Sequence, residues 1–103
     1  MKVVGITACP TGIAHTYMAQ ESLELALKNL GYDYKIETQG GMGIENELSP
    51  EDIADADVAI LAVSVVIDGE ERFDDIPTLR VDVGRAIKDT DNVIQEAIAL
   101  VNK

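Results

Sequence analysis

The chain has 103 residues, is 47% apolar and carries a formal net charge of −11, which sets an expectation of one domain, 1–103, around one core. The acidic balance opposes binding to nucleic acid or anionic lipid and, because the acids are scattered, reads mainly as solubility. No apolar run approaches the ~20 residues that span a bilayer, no signal-peptide pattern opens the chain, and one cysteine cannot make an internal disulfide, so a reducing, cytoplasmic setting is expected.

Lys2 to Ala8 is rich in β-branched residues and reads as a strand. Cys9-Pro10-Thr11-Gly12 is a sharp connector to a helix starting near Ile13. Pro10 has no N–H and pushes Cys9 out of the helical region, so the strand stops there. Gly12 permits backbone shapes that other residues resist. The N–H groups of Thr11, Gly12, Ile13 and Ala14 are then free to converge on an anion, and the helix dipole favours negative charge at the same place. That field should also lower the pKa of Cys9. Cys9 is therefore either a nucleophile that accepts a phosphoryl group or a small, inert buried side chain. His15, six residues on, either donates to a phosphate and supports the thiolate or caps local backbone.

The first helix is expected over Ile13 to Leu30, with Ala19, Leu23, Ala26, Leu27 and Leu30 on one apolar face and Gly31 as its stop. Glu24 and Lys28 are an i, i+4 pair on another face. Core packing is expected for Tyr17 and Met18, a partner contact being the alternative. Asp33 to Thr38 alternates, with Tyr34, Ile36 and Thr38 on one side and Asp33, Lys35 and Glu37 on the other, as in an edge strand or one with an exposed face. Gln39-Gly40-Gly41-Met42-Gly43 follows as a connection. Ser49-Pro50-Glu51-Asp52 spells a helix start, with Ser49 as N-cap and Pro50 at N1.

Asp57 to Val63 is almost continuously apolar, as a central strand covered on both faces should be, and belongs beside the strand that ends at Cys9. Val65 to Pro77 is an acidic loop containing Arg72 and Phe73, and its acids Asp68, Asp74 and Asp75 are expected in solvent. Thr78 to Val83 reads as a second edge strand, Gly84 to Lys88 as a helical turn, and Asp89 to Asn102 as a last helix with Ile94, Ile98 and Val101 facing the core. The predicted architecture is a three-layer α/β sandwich: four parallel strands in order 2-1-3-4 with helices on both faces. Right-handed crossovers put the switch point between strands 1 and 3, and Cys9 at that crevice.

Cys9-Pro10-Thr11-Gly12-Ile13-Ala14-His15-Thr16 resembles the signature loop of the fructose-type enzyme IIB domains of the bacterial phosphotransferase system. The resemblance spans nearly the whole chain and continues at Glu37-Thr38-Gln39-Gly40 and Glu71-Arg72-Phe73. It implies a phosphocarrier with no cofactor and no metal. Cys9 would take a phosphoryl group from the phosphohistidine of enzyme IIA, inside a phosphate-binding loop of Pro10 through Thr16. It would pass that group to fructose or a related sugar held by the membrane component IIC, at the inner face of the membrane. The resemblance also implies that Gln39 and Gly40 border the site. Family members often carry an acidic residue just after the third strand, where this chain has Ser64 and Val65, so that role does not carry over.

Two rival readings set limits. Cysteine phosphatases of the low-molecular-weight type clamp phosphate with an Arg six residues after the nucleophile, whereas this chain has His15 there and no Lys or Arg between Lys2 and Lys28. A flavin- or nucleotide-binding module of flavodoxin type would find few aromatic side chains, since they make up 4% of the residues and none is Trp. A redox role lacks a resolving cysteine, and Cys9 with His15 supplies two of the four ligands a structural zinc wants.

Overall fold

The computed structural model describes residues 1–9, 13–40 and 43–101. Its elements are β1 (Lys2–Ala8), α1 (Ile13–Asn29), β2 (Asp33–Gly40), β3 (Gly43–Glu45), α2 (Pro50–Ala54), β4 (Val58–Val63), β5 (Thr78–Val81), α3 (Val83–Lys88) and α4 (Thr90–Val101), with a 3-10 turn at Glu70–Phe73 inside the long loop. The sheet runs β3-β2-β1-β4-β5. Strands β2, β1, β4 and β5 are parallel through three pairings in the expected order, with β1 and β4 central and adjacent. The fifth strand was not expected. Gly43–Glu45 turns back antiparallel on the end of β2, pairing Thr38 with Glu45 and Gln39 with Ile44. β2 is therefore covered at its carboxyl end, Thr38 to Gly40, and is an edge over the rest of its length. Gly41, Met42 and Asn102, expected in the glycine connection and at the end of the last helix, lie outside the described residues.

The two sheet faces are covered differently. β1 and β4 present Val3, Val58, Ile60 and Ala62 to α1, α3 and α4, which bring Leu23, Leu27, Ala86, Val93 and Ile94. The opposite face presents Val4, Ile6, Ala59 and Leu61 to Leu48 and Ile53 and to Ile67 and Phe73 of the long loop. With both faces covered, every residue of β4 is buried, which explains its unbroken apolar run. Gly5 lies where strands crowd: a Cβ there would sit 2.7 Å from the Ile60 carbonyl oxygen of β4.

Local signals were read correctly at both clear helix boundaries. The Gly31 N–H donates to the Lys28 carbonyl and the Tyr32 N–H to that of Leu27, a Schellman turn with Gly31 at φ +78°. Ser49 caps α2 in a full capping box, its hydroxyl accepting from the Asp52 N–H and the Asp52 carboxylate accepting from the Ser49 N–H. Asp52 also takes Lys35 at 2.8 Å and Lys2 at 3.5 Å, fastening α2 to the sheet.

Several side-chain expectations are corrected. Met18 is 49% exposed and Leu30, at the C-cap of α1, 45% exposed, so neither belongs to the core. Tyr17 is half-buried and its hydroxyl donates to Glu45, tying α1 to β3. Glu37, expected on a solvent face, has no exposed surface. The reason is tertiary: the chain leading into α2 and the long loop fold over that end of β2, and the carboxylate has partners there. In α4, Ile94 is fully buried while Ile98 and Val101 pack partly exposed against the core.

Candidate active site

β1 delivers Cys9 to the carboxyl edge of the sheet, between β2 and β4, where the connections leave in opposite directions. The last rung there is the Ser64 N–H donating to the Ala8 carbonyl at 3.1 Å. Ser64 is held in turn by Asp82, the N-cap of α3, which accepts from its hydroxyl at 2.6 Å. The Ser64 hydroxyl, followed by the Gly84 N–H, holds the Asp82 carboxyl below its ordinary pKa.

Cys9 is partly exposed and opens into a cleft of about 290 Å³ lined also by Gln39, Gly40, Ile44, Val66 and Asp68. It is therefore not an enclosed side chain. Gln39 and Gly40 line the same cleft as Cys9. Pro10, Thr11 and Gly12 lie outside the described residues, and α1 begins at Ile13. In its first turns Ala14 and His15 are exposed and Thr16 is buried. The Cys9 Sγ and His15 Nδ1 lie 3.9 Å apart, so the structure brings the two expected side chains together. The Thr16 carbonyl accepts from the Thr7 hydroxyl at 2.9 Å, which seats this part of α1 on β1. Among the described residues, the buried hydroxyls of Thr16 and Thr38 have no hydrogen-bond partner.

Under the cleft lies a polar cluster that the sequence reading missed. Arg72 reaches from the 3-10 turn to Glu37 with two bonds of 3.0 Å. Its remaining donors go to the carbonyls of Gly69, Leu48 and Asp68 at 2.8, 3.2 and 3.2 Å. All five guanidinium N–H groups are thus used. The Arg72 guanidinium also lies 5.4 Å from the centre of the Phe73 ring. Glu37 further accepts from the Leu48 N–H at 2.8 Å and from Gln39 at 2.7 Å. Burial alone would raise the Glu37 pKa, but the bonds from Arg72, Gln39 and Leu48 outweigh it and hold the carboxyl below its ordinary value. The Glu37 bond in turn raises Arg72. The available signal was that Glu37 and Arg72 fall in the two outlying stretches that carry the family resemblance.

Asp68, Asp74 and Asp75 are exposed, as expected, and at the cleft it is the Asp68 backbone that is engaged by Gln39. No group of three or more His, Cys, Asp or Glu side chains able to hold a metal occurs among the described residues.

A family model described as "PTS system, Lactose/Cellobiose specific IIB subunit" matches residues 4–96. The chain belongs to the PTS IIB family. Among curated relatives, the PTS system fructose-like EIIB component 2 of Escherichia coli K12 is 47% identical over 95 residues, covering 92% of this chain and 90% of that protein. A fused relative, the fructose-like PTS system EIIBC component of the same strain, is 43% identical over 93% of this chain and 20% of its own length. IIB domains of PTS systems work with IIA and IIC parts, and in that relative the IIB part is joined to a IIC part in one chain.

Solved IIB structures superpose closely. A domain of the fructose-specific IIABC component of Borrelia burgdorferi gives a TM-score of 0.89 at 47% identity, covering 93% of this chain and 91% of that one. A predicted fructose-specific IIB of Escherichia coli gives 0.95 at 35%, covering 99% and 90%. As a PTS IIB protein the chain is a phosphocarrier. Among its described residues, no helix is long and apolar enough to cross a membrane.

Proposed function

We propose that Cys9 is the phosphoryl acceptor of this IIB domain and that residues 10–16 form the loop that holds the group. The Cys9 thiolate attacks the phosphorus of a phosphohistidine on IIA, the P–N bond breaks, and the imidazole leaves. A sugar hydroxyl on IIC then attacks the same phosphorus, the P–S bond breaks, the thiolate is regenerated, and the hydroxyl proton goes to a base beside the sugar. The sugar is fructose or a close relative, as the names of the similar EIIB components suggest. The exchange takes place at the inner face of the membrane, where IIC presents its sugar.

The observation that carries this reading is Cys9 at the switch-point cleft with His15 beside it and no uncommitted guanidinium in the cluster below. A phosphatase binds free phosphomonoesters with an Arg fork. Arg72, the arginine of that cluster, has its five donors on protein oxygens. A carrier needs no such fork, because IIA and IIC bring the group and take it away.

The test is phosphotransfer from phospho-IIA with mass mapping of the modified residue. Wild type should carry one phosphoryl group on Cys9, and Cys9→Ser should fold and accept none. Stable phosphate on His15 or on a serine would sink the proposal. Hydrolysis of an aryl phosphate at phosphatase-like rates would transfer the chain to the rival reading.

A further inference from the structure

One wall of the Cys9 cleft is made by Val65, Val66 and Asp68, in a stretch that is neither helix nor strand. Such a segment has no ladder to hold it, so its position must be set by other contacts. Ile67 anchors it from behind, buried in the core. At the cleft itself the anchor is the Gln39 side chain. Its Oε1 accepts from the Asp68 N–H at 2.9 Å, and its Nε2 donates to the Asp68 carbonyl at 2.9 Å. The amide therefore pairs with one residue of the wall as a neighbouring strand would. The second Nε2 hydrogen goes to Glu37 at 2.7 Å. That fixes the orientation of the amide, since only the nitrogen can face the carboxylate and only the oxygen can face an N–H.

Glu37 is fixed in turn by Arg72, which also takes the Asp68 and Gly69 carbonyls directly. The turn is shaped for this. Gly69 has φ +76°, and a Cβ there would lie 2.5 Å from the Arg72 Nε. Both Gln39 N–H groups are spent on protein acceptors, so Gln39 borders the cleft without donating to a ligand in it.

We propose that Gln39, oriented by Glu37 and Arg72, is a positioning residue that sets the 65–68 wall of the cleft at the distance phosphoryl transfer requires. The inference rests on the reading of Cys9 as acceptor. Phosphoryl transfer is almost wholly a matter of placement and electrostatics. A displacement of about 1 Å can cost about 10²-fold in rate.

Gln39→Met tests this, because it keeps the length of the side chain and leaves the Glu37–Arg72 pair in place. Two quantities are read on the full chain: hydrogen exchange at the Asp68 N–H, and single-turnover transfer from phospho-IIA across a range of donor concentrations. The expected result is Asp68 exchange at least about tenfold faster and a maximal transfer rate at least about tenfold lower, with the half-saturating donor concentration moving less than about threefold. Gln39→Asn, which keeps the amide but is one methylene too short to bridge, should slow transfer likewise and serves if the Met variant folds poorly. Fast Asp68 exchange with transfer within twofold of wild type would overturn the proposal, as would unchanged Asp68 exchange. A loss confined to the half-saturating concentration would also overturn it, making the wall a donor contact instead. Failure of the wild-type chain to accept phosphate on Cys9 is a separate result, seen before any variant is made, and removes the reading beneath.

Discussion

Arg72→Met should be among the most damaging single changes outside the immediate surroundings of Cys9, and its cost can be worked out from the partners it abandons. Glu37 has no exposed surface, so its carboxylate would be left buried with only Gln39 and the Leu48 N–H. Removing one partner of a buried ion pair typically costs about 3–5 kcal/mol. In a chain of 103 residues, at roughly 5 °C per kcal/mol, that lowers the thermal midpoint by roughly 15–25 °C. The loss should depend on pH in a definite direction. In wild type the folded Glu37 pKa is depressed below its ordinary 4.5, so its contribution is present above that value and fades as pH falls through the folded pKa. Without Arg72, burial is left to raise the Glu37 pKa, so the penalty is full at neutral pH and shrinks as acid neutralises the carboxyl. The gap between variant and wild type should therefore narrow from pH 7 toward pH 4.5. Glu37→Leu combined with Arg72→Met should recover much of the loss, since an apolar pair replaces two charges. Urea unfolding at several pH values measures all three quantities. A loss under about 1 kcal/mol at pH 7, or a gap that does not change with pH, would refute the account of this cluster.

Gly5→Ala should cost about 1–3 kcal/mol in urea unfolding, because the new Cβ meets strand backbone at 2.7 Å and backbone cannot rotate away; a neutral effect would show that β1 and β4 can separate locally. Ser49→Ala removes the N-cap of α2 and should cost about 1 kcal/mol, read by chemical denaturation. Asp52 is held below the ordinary carboxylate range chiefly by Lys35 and then by Ser49, so its stabilising contribution should be present above pH 3.8 and disappear as pH falls further; in Asp52→Asn that acid-dependent component should be missing from the stability–pH curve. His15→Ala should slow phosphotransfer to Cys9 by about 10²-fold if the imidazole stabilises charge during transfer, whereas an unchanged single-turnover rate would leave it a local backbone cap.

Sequence alone determined whatever depended on neighbours along the chain. The strand that leads to Cys9, the helix that begins at Ile13, the stop at Gly31 and the start at Ser49 are short-range events, written in residues a few positions apart. The order of the four parallel strands also followed, because two apolar strands must lie inside two alternating ones and crossovers take one hand. Alternation fails to report a face when the face is buried but polar. Glu37 reads as solvent-exposed by its spacing, and its burial is made tolerable by Arg72, 35 residues away, together with Gln39 and the Leu48 N–H. Strand β3 has three residues and no periodicity, so it exists through its pairing with β2 rather than through its own composition. The same holds for the cleft: the place of Cys9 at the carboxyl end of β1 was legible, but the wall set by Gln39 and Asp68 joins segments 29 residues apart, and its hydrogen bonds form only once the sheet has brought those segments together.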